Sequence, residues 1–366
     1  MEGIVSQEGT QVMTGSPAPP GHAEDLSYQS QILEQVSRTF ALTIPQLPSD
    51  LYKVVANAYL LCRIADTIED DPELPLADKQ DYSEQFIQVL EGGLDPDRFA
   101  RELFPQLSPA LLAAERDLVL NTPRVVRITH AFSPAEQAPM RRCVGIMSRG
   151  MARFQAMNTR HGLRDLPEMN QYCYHVAGVV GEMLTELFCL HCPPLMDRRE
   201  EMLRLAVSFG QGLQMTNILK DVWEDQNRGA CWLPRQVFAE QGFDLRQLRP
   251  GSHNRAFQRG FLELIAVARG HLANALEYTL KIPSEEPGIR NFCLWALGMA
   301  VLTLRKLNGQ PDFSSAQQVK ITRRSVKATI VTTRLAVRQD WLLRFLFGIF
   351  TRSLPKPAKK EQVLSI

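Results

Sequence analysis

The chain is 366 residues long and 45% hydrophobic, enough to bury a sizeable core in one helical domain or two smaller ones. Its 41 lysines and arginines nearly cancel its 40 aspartates and glutamates, so no overall field favours nucleic acid, and a charged ligand has to be met locally. The seven cysteines are scattered through apolar segments without a paired zinc-ligand spacing, which points to reduced, buried thiols in a cytoplasmic protein.

Residues 1–25 are rich in Gly, Pro, Ser and Glu and lack a basic stretch followed by an apolar run, so a disordered lead is expected there rather than a secretory signal. Leu51, Val54, Val55, Ala58, Leu61, Cys62 and Ala65 then recur at three- and four-residue spacing, the pattern of a helix with a wide buried face. That helix carries Asp66 near its C-terminal end, and Pro72 and Pro75 stop it at Asp71. Further Pro and Gly signals separate helix-compatible segments over 134–160, 168–190, 197–227, 252–280, 287–307 and about 323–350. No series of alternating strands, fixed-period repeat or long internal linker interrupts them. The expectation is an all-α fold with one catalytic domain over 26–337, followed by an apolar and basic segment over 338–366. No uninterrupted apolar stretch reaches the roughly 20 residues of a membrane-spanning helix.

Asp66, Glu69 and Asp70 stand at i, i+3 and i+4, which places three carboxylates on one helix face, and Asp221, Glu224 and Asp225 repeat the spacing. Like charges so placed destabilise a helix by about 0.2–0.5 kcal/mol per pair, a cost that hard cations would offset. One such motif alone reads equally well as a solvated helix end. Two matching ones point to a paired site for Mg2+, which takes oxygen ligands and shares them with substrate phosphates. The second motif ends an apolar run, Leu203 to Leu219, along which Gln214, Asn217 and Asp221 form a polar stripe that needs a partner or a polar cavity.

Cations complement the acids. Ser37, Arg38 and Phe40 precede the first motif's helix, Arg63 lies three residues before Asp66, and Lys220 and Arg228 flank the second motif. The planar fork of arginine suits diphosphate oxygens, although each of these residues alone is an ordinary surface ion-pair former. In Tyr172-Cys173-Tyr174-His175-Val176-Ala177-Gly178-Val179-Val180-Gly181, the small residues admit either another backbone in tight packing or a ligand. Tyr172 offers a hydroxyl to an apolar cavity, and His175 reads as a core or rim residue rather than a metal ligand.

Four ordered motifs span roughly residues 27–305: Ser37-Arg38-Thr39-Phe40, Asp66 to Asp70, Tyr172 to Gly181, and Gln214 to Asp221 running into Glu224-Asp225. Together they resemble the squalene and phytoene synthase family. The resemblance implies a single all-α isoprenoid synthase domain around a central cavity, with the two acidic motifs facing each other. It implies that Asp66, Glu69, Asp70, Asn217, Asp221, Glu224 and Asp225 hold Mg2+. Ser37, Arg38, Phe40, Tyr59, Arg63, Gln214, Asn217, Lys220 and Arg228 would meet the substrate, and Tyr172 would act near the reacting carbons with Asp66, Asp70, Asp221 and Asp225. Two farnesyl diphosphates per turnover would be joined head to head through a cyclopropylcarbinyl intermediate, presqualene diphosphate, followed by a second ionisation and rearrangement. The aromatic faces of Phe40, Tyr59, Phe188, Phe209 and Phe292 would either stabilise the cations, by roughly 0.5–2 kcal/mol each, or be plain core.

In this family, hydride from NADPH gives squalene, whereas proton loss gives dehydrosqualene or phytoene. The segment Phe292 to Leu304, and Val319-Lys320-Ile321 followed by Arg323-Arg324, resemble the reductive branch; Lys320 and Arg323 would then contact NADPH, with Thr322 interrupting the match. Trp232-Leu233-Pro234-Arg235 instead resembles the bacterial carotenoid branch, and Ala230 stands where many members carry a diphosphate-contacting arginine, a place that Arg228 is expected to take. No glycine-rich dinucleotide fingerprint accompanies these segments. Reduction to squalene is the expectation. Non-reductive formation of dehydrosqualene, phytoene or presqualene diphosphate is the alternative.

From another class, a non-catalytic isoprenoid-binding protein would show a degraded acidic motif, and both motifs are intact. Head-to-tail elongases and terpene cyclases would show acidic patterns that this chain does not carry cleanly. Finally, Trp341 to Phe350 is strongly apolar, too short to span a bilayer, and flanked by Arg338, Arg352, Lys356, Lys359 and Lys360. It is expected either to lie in the headgroup region of an anionic membrane or to close the core as a last helix.

Overall fold

The computed structural model describes residues 21–37, 39–250 and 254–357. Among them the chain forms α1 (His22–Val36), α2 (Phe40–Thr43), α3 (Ser49–Asp70), α4 (Leu76–Glu91), α5 (Pro96–Leu103), α6 (Ala113–Leu120), α7 (Thr122–Ala131), α8 (Pro134–Gln155) and α9 (Leu166–Cys173). It continues with α10 (Val179–His191), α11 (Arg199–Lys220), α12 (Val222–Asn227), α13 (Arg235–Glu240), α14 (Arg255–Lys281), α15 (Pro287–Gly309), α16 (Ala316–Val319), α17 (Arg323–Ala336) and α18 (Asp340–Thr351). The only extended pairing among the described residues is an isolated bridge between Leu163 and Pro234. The fold is all-α, as expected.

Local chemistry sets several helix ends. Ser133 and Glu136 close a reciprocal capping box at the start of α8, with Pro134 in the first turn where its missing N–H leaves no bond unmade. After α3, the buried Asp71 accepts from the backbone N–H groups of Glu73, Leu74 and Ser108 at 2.7–2.9 Å, which turns the chain away. Asp71 thus belongs to the turn and leaves Asp66, Glu69 and Asp70 as the acids of the helix.

Some boundaries differ from expectation. The lead expected through residue 25 yields to α1 at His22, because Asp25 is buried and takes a two-pronged bond from Arg127, both contacts at 2.9 Å. Residues 1–20 lie outside the described residues, as do 358–366. The segment expected as one helix over 168–190 is α9 and α10 joined by a π-helical turn, Tyr174–Gly178. The expected helix over 197–227 breaks at Asp221, whose φ of −98° and ψ of 11° end α11 and begin α12. The expected 323–350 helix is α17 and α18, separated by Val337 to Gln339.

Packing joins the two motif-bearing elements. Helix α3 lies against α8, α8 against α10, and α10 against α11, which also runs along α14. A Cβ on Gly181 would overlap the Ala206 carbonyl of α11, and one on Gly210 would fall 2.8 Å from the backbone nitrogen of Gly178. The small residues of this segment therefore serve close backbone packing, which settles that choice in favour of helix against helix. Contrary to the expectation that no segment is apolar and long enough to cross a membrane, Leu166–His191 and Pro287–Gly309 are so by length and composition, because the few charges within them do not offset their apolar residues; both pack against this core.

The C-terminal helix closes part of the core with one face. Leu343, Thr351 and Leu354 are at most 4% exposed. Arg290, itself 2% exposed, donates to the carbonyls of Ile282 and Val337 and to Asp340 Oδ1, which pins the start of α18.

Candidate active site

Tyr59, Arg63, Asp66 and Asp70 follow one another along a single face of α3. At its inner end the Tyr59 hydroxyl donates to the Val36 carbonyl at 3.2 Å, and the Tyr59 ring lies 5.1 Å from that of Phe40. Ser37 Oγ accepts from the Phe40 N–H at 2.9 Å, so these three expected substrate contacts form one group. Arg38 lies outside the described residues. Arg63 is shared between Asp66, at 3.9 Å, and the buried Glu115 of α6. The Glu69 carbonyl accepts from Gln155 Nε2 at 2.9 Å and from Lys79 Nζ. Glu115, Lys79 and Gln155 carry no sequence signal for this site, because only packing of α4, α6 and α8 on α3 brings them there.

The second motif is anchored from the other side of the chain. Lys220 Nζ lies 3.1 Å from Asp221. Trp223 Nε1 donates to the Phe313 carbonyl at 2.7 Å, and Glu224 Oε1 accepts from the Ala316 N–H at 2.9 Å. The other Glu224 oxygen, Oε2, is buried with no partner among the described residues. Along α11, Gln214 is half-buried and Asn217 exposed, so the polar stripe opens toward water as it reaches Asp221.

The charge of Asp70 in the first motif is felt at Asp225 in the second. Burial, followed by the charge of Asp70, pushes Asp66 up to about 7. Burial and then Asp221 push Asp225 up to about 7, with Asp70 of the opposite motif adding to the effect. Burial likewise raises Glu69 and Asp221, and loss of surrounding water raises Asp70 although its side chain still reaches solvent. Arg228, exposed just after α12, opposes the rise at Asp70, Asp221 and Asp225 alike. The Asp66 side chain retains 30% of its surface in water and Asp70 is exposed, so these acids reach solvent.

Tyr172 sits between them. It is 7% exposed, and burial followed by the charges of Glu69, Asp225 and Asp70 holds its phenol well above the usual range. Trp232 stacks on its ring with centroids 4.0 Å apart and planes 7° from parallel, while Phe154 meets it edge-on at 5.2 Å. The loop that carries Trp232 is tied at both ends: Ala230 N–H donates to the Asp225 carbonyl at 2.9 Å, and Leu163 and Leu233 pair through their backbones at 2.9 Å. The sequence marked this segment only for its resemblance to one branch. Its physical place is against the tyrosine.

Other expected residues lie elsewhere. Phe188 is 1% exposed and edge-on to Phe292, and Phe209 is edge-on to Tyr278, so these three rings are part of the core. His175 wedges against Gly150 of α8, where even a Cβ would overlap its ring, in keeping with a rim residue. Lys320 and Arg323 are exposed at the end of α16 and the start of α17, just beyond the segment that Trp223 and Glu224 hold.

The donor set is one of hard oxygens crowded beyond what Arg63, Lys79, Lys220 and Arg228 neutralise, and it includes the orphaned Glu224 Oε2. Among the described residues no three of these acids form a finished cage. That combination suits a cation such as magnesium, which keeps several waters and shares the phosphate oxygens of its substrate.

A model of the squalene/phytoene synthase family matches residues 33–325. The chain belongs to this family. As a member it is a prenyltransferase. It is 27% identical to the squalene synthase of Schizosaccharomyces pombe over 89% of its length and 69% of that protein. It is 29% identical to a squalene synthase of Botryococcus braunii, over 85% and 65% of the two chains, and 28% identical to one of Candida albicans, over 77% and 61%. The chain thus spans less than two thirds of the length of the latter two. Among solved structures, a ligand complex of TcSQS superposes with a TM-score of 0.74 at 23% identity, covering 93% of this chain and 95% of that one. A dehydrosqualene synthase superposes with a TM-score of 0.64 at 21% identity, over 87% and 98%. These likenesses establish the isoprenoid synthase fold for this prenyltransferase.

Proposed function

We propose that this prenyltransferase joins two farnesyl diphosphates head to head, through presqualene diphosphate, and reduces the product to squalene with NADPH. The observation that supports the proposal is the linkage of Tyr172 to both motifs: its ring is edge-on to Phe154, whose neighbour Gln155 bonds the Glu69 carbonyl, and stacked on Trp232, in the loop that Ala230 ties to the Asp225 carbonyl. The names of the similar proteins, squalene synthases of three organisms, favour the reductive product.

Asp66, Glu69 and Asp70 on one side, and Asn217, Asp221, Glu224 and Asp225 on the other, would hold Mg2+. The ions, when bound, supply Lewis-acid stabilisation of the departing diphosphate. Arg63, Lys220 and Arg228 would orient the diphosphates, with Arg38, Ser37 and Gln214 completing the polar wall. Arg63 is itself aimed by Glu115, so its guanidinium is held before substrate arrives. Tyr172, shielded by Trp232, would present a neutral hydroxyl and an aromatic face to the allylic cation, because burial, and after it the charges of the surrounding acids, hold the phenol protonated. Phe40 and Tyr59 would line the same path.

Lys320 and Arg323 would meet the phosphates of NADPH, and their exposure beside the anchored 313–316 segment suits that use. NADPH, when bound, supplies hydride to the final cation. The protein would work in the cytoplasm with peripheral membrane contact through its C-terminal segment.

Purified protein incubated with farnesyl diphosphate and magnesium, with and without NADPH, tests the proposal by mass spectrometry of the lipid extract. Squalene that appears only with NADPH is the expected result. Dehydrosqualene or persistent presqualene diphosphate despite NADPH would reject the reductive step, turnover of geranylgeranyl diphosphate alone would point to phytoene, and no turnover at all would leave an isoprenoid-binding protein.

A further inference from the structure

Two C-terminal helices present large apolar side chains to the outside. Val331 and Leu335 of α17 are 58% and 77% exposed, and Trp341, Phe345 and Ile349 of α18 are 70%, 58% and 52% exposed. Their spacing is helical in both cases. On α17, Arg324, Lys327, Val331 and Leu335 recur at three and four residues, with Arg338 just beyond its end, and on α18 Trp341, Phe345 and Ile349 do the same, with Arg352 just beyond. The opposite faces are fixed in the protein, through Leu343 and Thr351 of α18 and Ala336 of α17, and the two helices pack on each other. The pair is therefore held as one rigid surface.

Charge says what covers it. Residues 323–357 contain eight lysines and arginines and a single acid, Asp340. Asp340 is matched by Arg290, while Arg344 is matched by Glu277 of α14, so these charges are balanced within the protein. Arg324, Lys327, Arg338, Arg352 and Lys356 border the apolar strip from both ends. An apolar centre with an exposed tryptophan and a basic border matches the acyl boundary and headgroups of an anionic bilayer.

We propose that α17 and α18 together form a docking face for an anionic lipid bilayer. This rests on the peripheral contact suggested above for the C-terminal segment and adds α17 to it. The face would bury Val331, Leu335, Trp341, Phe345 and Ile349 at the interface.

Flotation of the full chain with phosphatidylcholine vesicles, with and without phosphatidylserine, tests it. The wild-type chain should float with the phosphatidylserine vesicles alone. Val331→Glu with Leu335→Glu, and separately Trp341→Glu with Phe345→Glu, should each lower the bound fraction roughly tenfold or more, as expected for burying charge in place of apolar area. Circular dichroism and turnover in detergent should stay unchanged in both. Normal flotation of the α17 pair alongside loss in the α18 pair would leave the C-terminal contact standing and overturn the two-helix face. Absence of wild-type flotation would overturn both. Equal binding to neutral vesicles, or a dimer seen by light scattering that the same glutamate pairs dissociate, would overturn the anionic bilayer as the occupant.

Discussion

The indole of Trp232 lies face to face with the ring of Tyr172, 4.0 Å between centroids and 7° from parallel. One residue comes from α9 and the other from a loop tied to the second acidic motif through Ala230 and Asp225. The stack thereby couples the tyrosine to the motif across the site. Aromatic pairs contribute about 0.5–1.5 kcal/mol beyond area burial. Trp232→Leu is expected to lower kcat on the order of tenfold, the rate equivalent of about 1.4 kcal/mol, while Trp232→Phe retains most of it. Steady-state kinetics beside far-ultraviolet circular dichroism checks this, and equal losses in both variants would mean that the stack does not position Tyr172.

Gly210 offers a test in which two physical effects have opposite signs. By helix propensity alone, Gly to Ala gains about 1 kcal/mol. A Cβ there would instead overlap the carbonyl of Ala177 and approach Gly178 N to 2.8 Å, forcing α11 off the π-turn. Overpacking of this kind costs about 1–3 kcal/mol, so Gly210→Ala should lower the thermal midpoint. A raised midpoint would show that the backbone contact yields without cost.

How far the chain could be read before folding depended on whether a feature was local. The helix of Asp66 follows from apolar spacing up to Ala65 and from Pro72, both of which act within a few residues. The break at Asp221 follows from neither: no Pro or Gly stands there, and α12 is turned by bonds from Trp223 and Glu224 to Phe313 and Ala316, some ninety residues on. The π-turn at Tyr174–Gly178 depends likewise on the approach of Gly210. Of the candidate site, the acids and flanking cations were legible because like charges on one helix face are conspicuous. Glu115 and Lys79 were not, since each is an ordinary helical residue until α6 and α4 pack on α3.

The crowded carboxylates predict how magnesium and pH act together. Asp66 and Asp225 are raised from 3.8 to about 7. Between these values the folded protein keeps protons that the unfolded chain has lost, so without metal these groups make stability fall as pH rises through the window. A bound cation favours the charged forms and removes that loss. The gain in thermal midpoint on adding magnesium should therefore be smallest near the lower value and largest above about 7. Asp225→Asn should raise the midpoint of chelator-treated protein above the upper value while abolishing diphosphate release. Calorimetry across pH with magnesium or chelator measures both, and a magnesium gain independent of pH would exclude these two acids from the site.

Glu224 divides its carboxylate between two uses, and substitution can separate them. Oε1 accepts from the Ala316 N–H, just upstream of Lys320, while the buried Oε2 has no partner among the described residues and would face the proposed Mg2+. A hydrogen bond to a charged group contributes about 1.5–3 kcal/mol. Glu224→Gln keeps an acceptor for Ala316 but loses the charge, so magnesium affinity should fall while hydrogen exchange at the Ala316 amide stays near wild type. Glu224→Ala loses both, and Ala316 exchange should accelerate on the order of tenfold or more as the segment opens locally. Because that segment leads directly into Lys320 and Arg323, which are proposed to meet NADPH, the alanine variant alone should also raise the KM for NADPH in the proposed reductive step. Identical behaviour of the two variants in exchange and in KM would show that Glu224 acts through its charge and does not tether the segment.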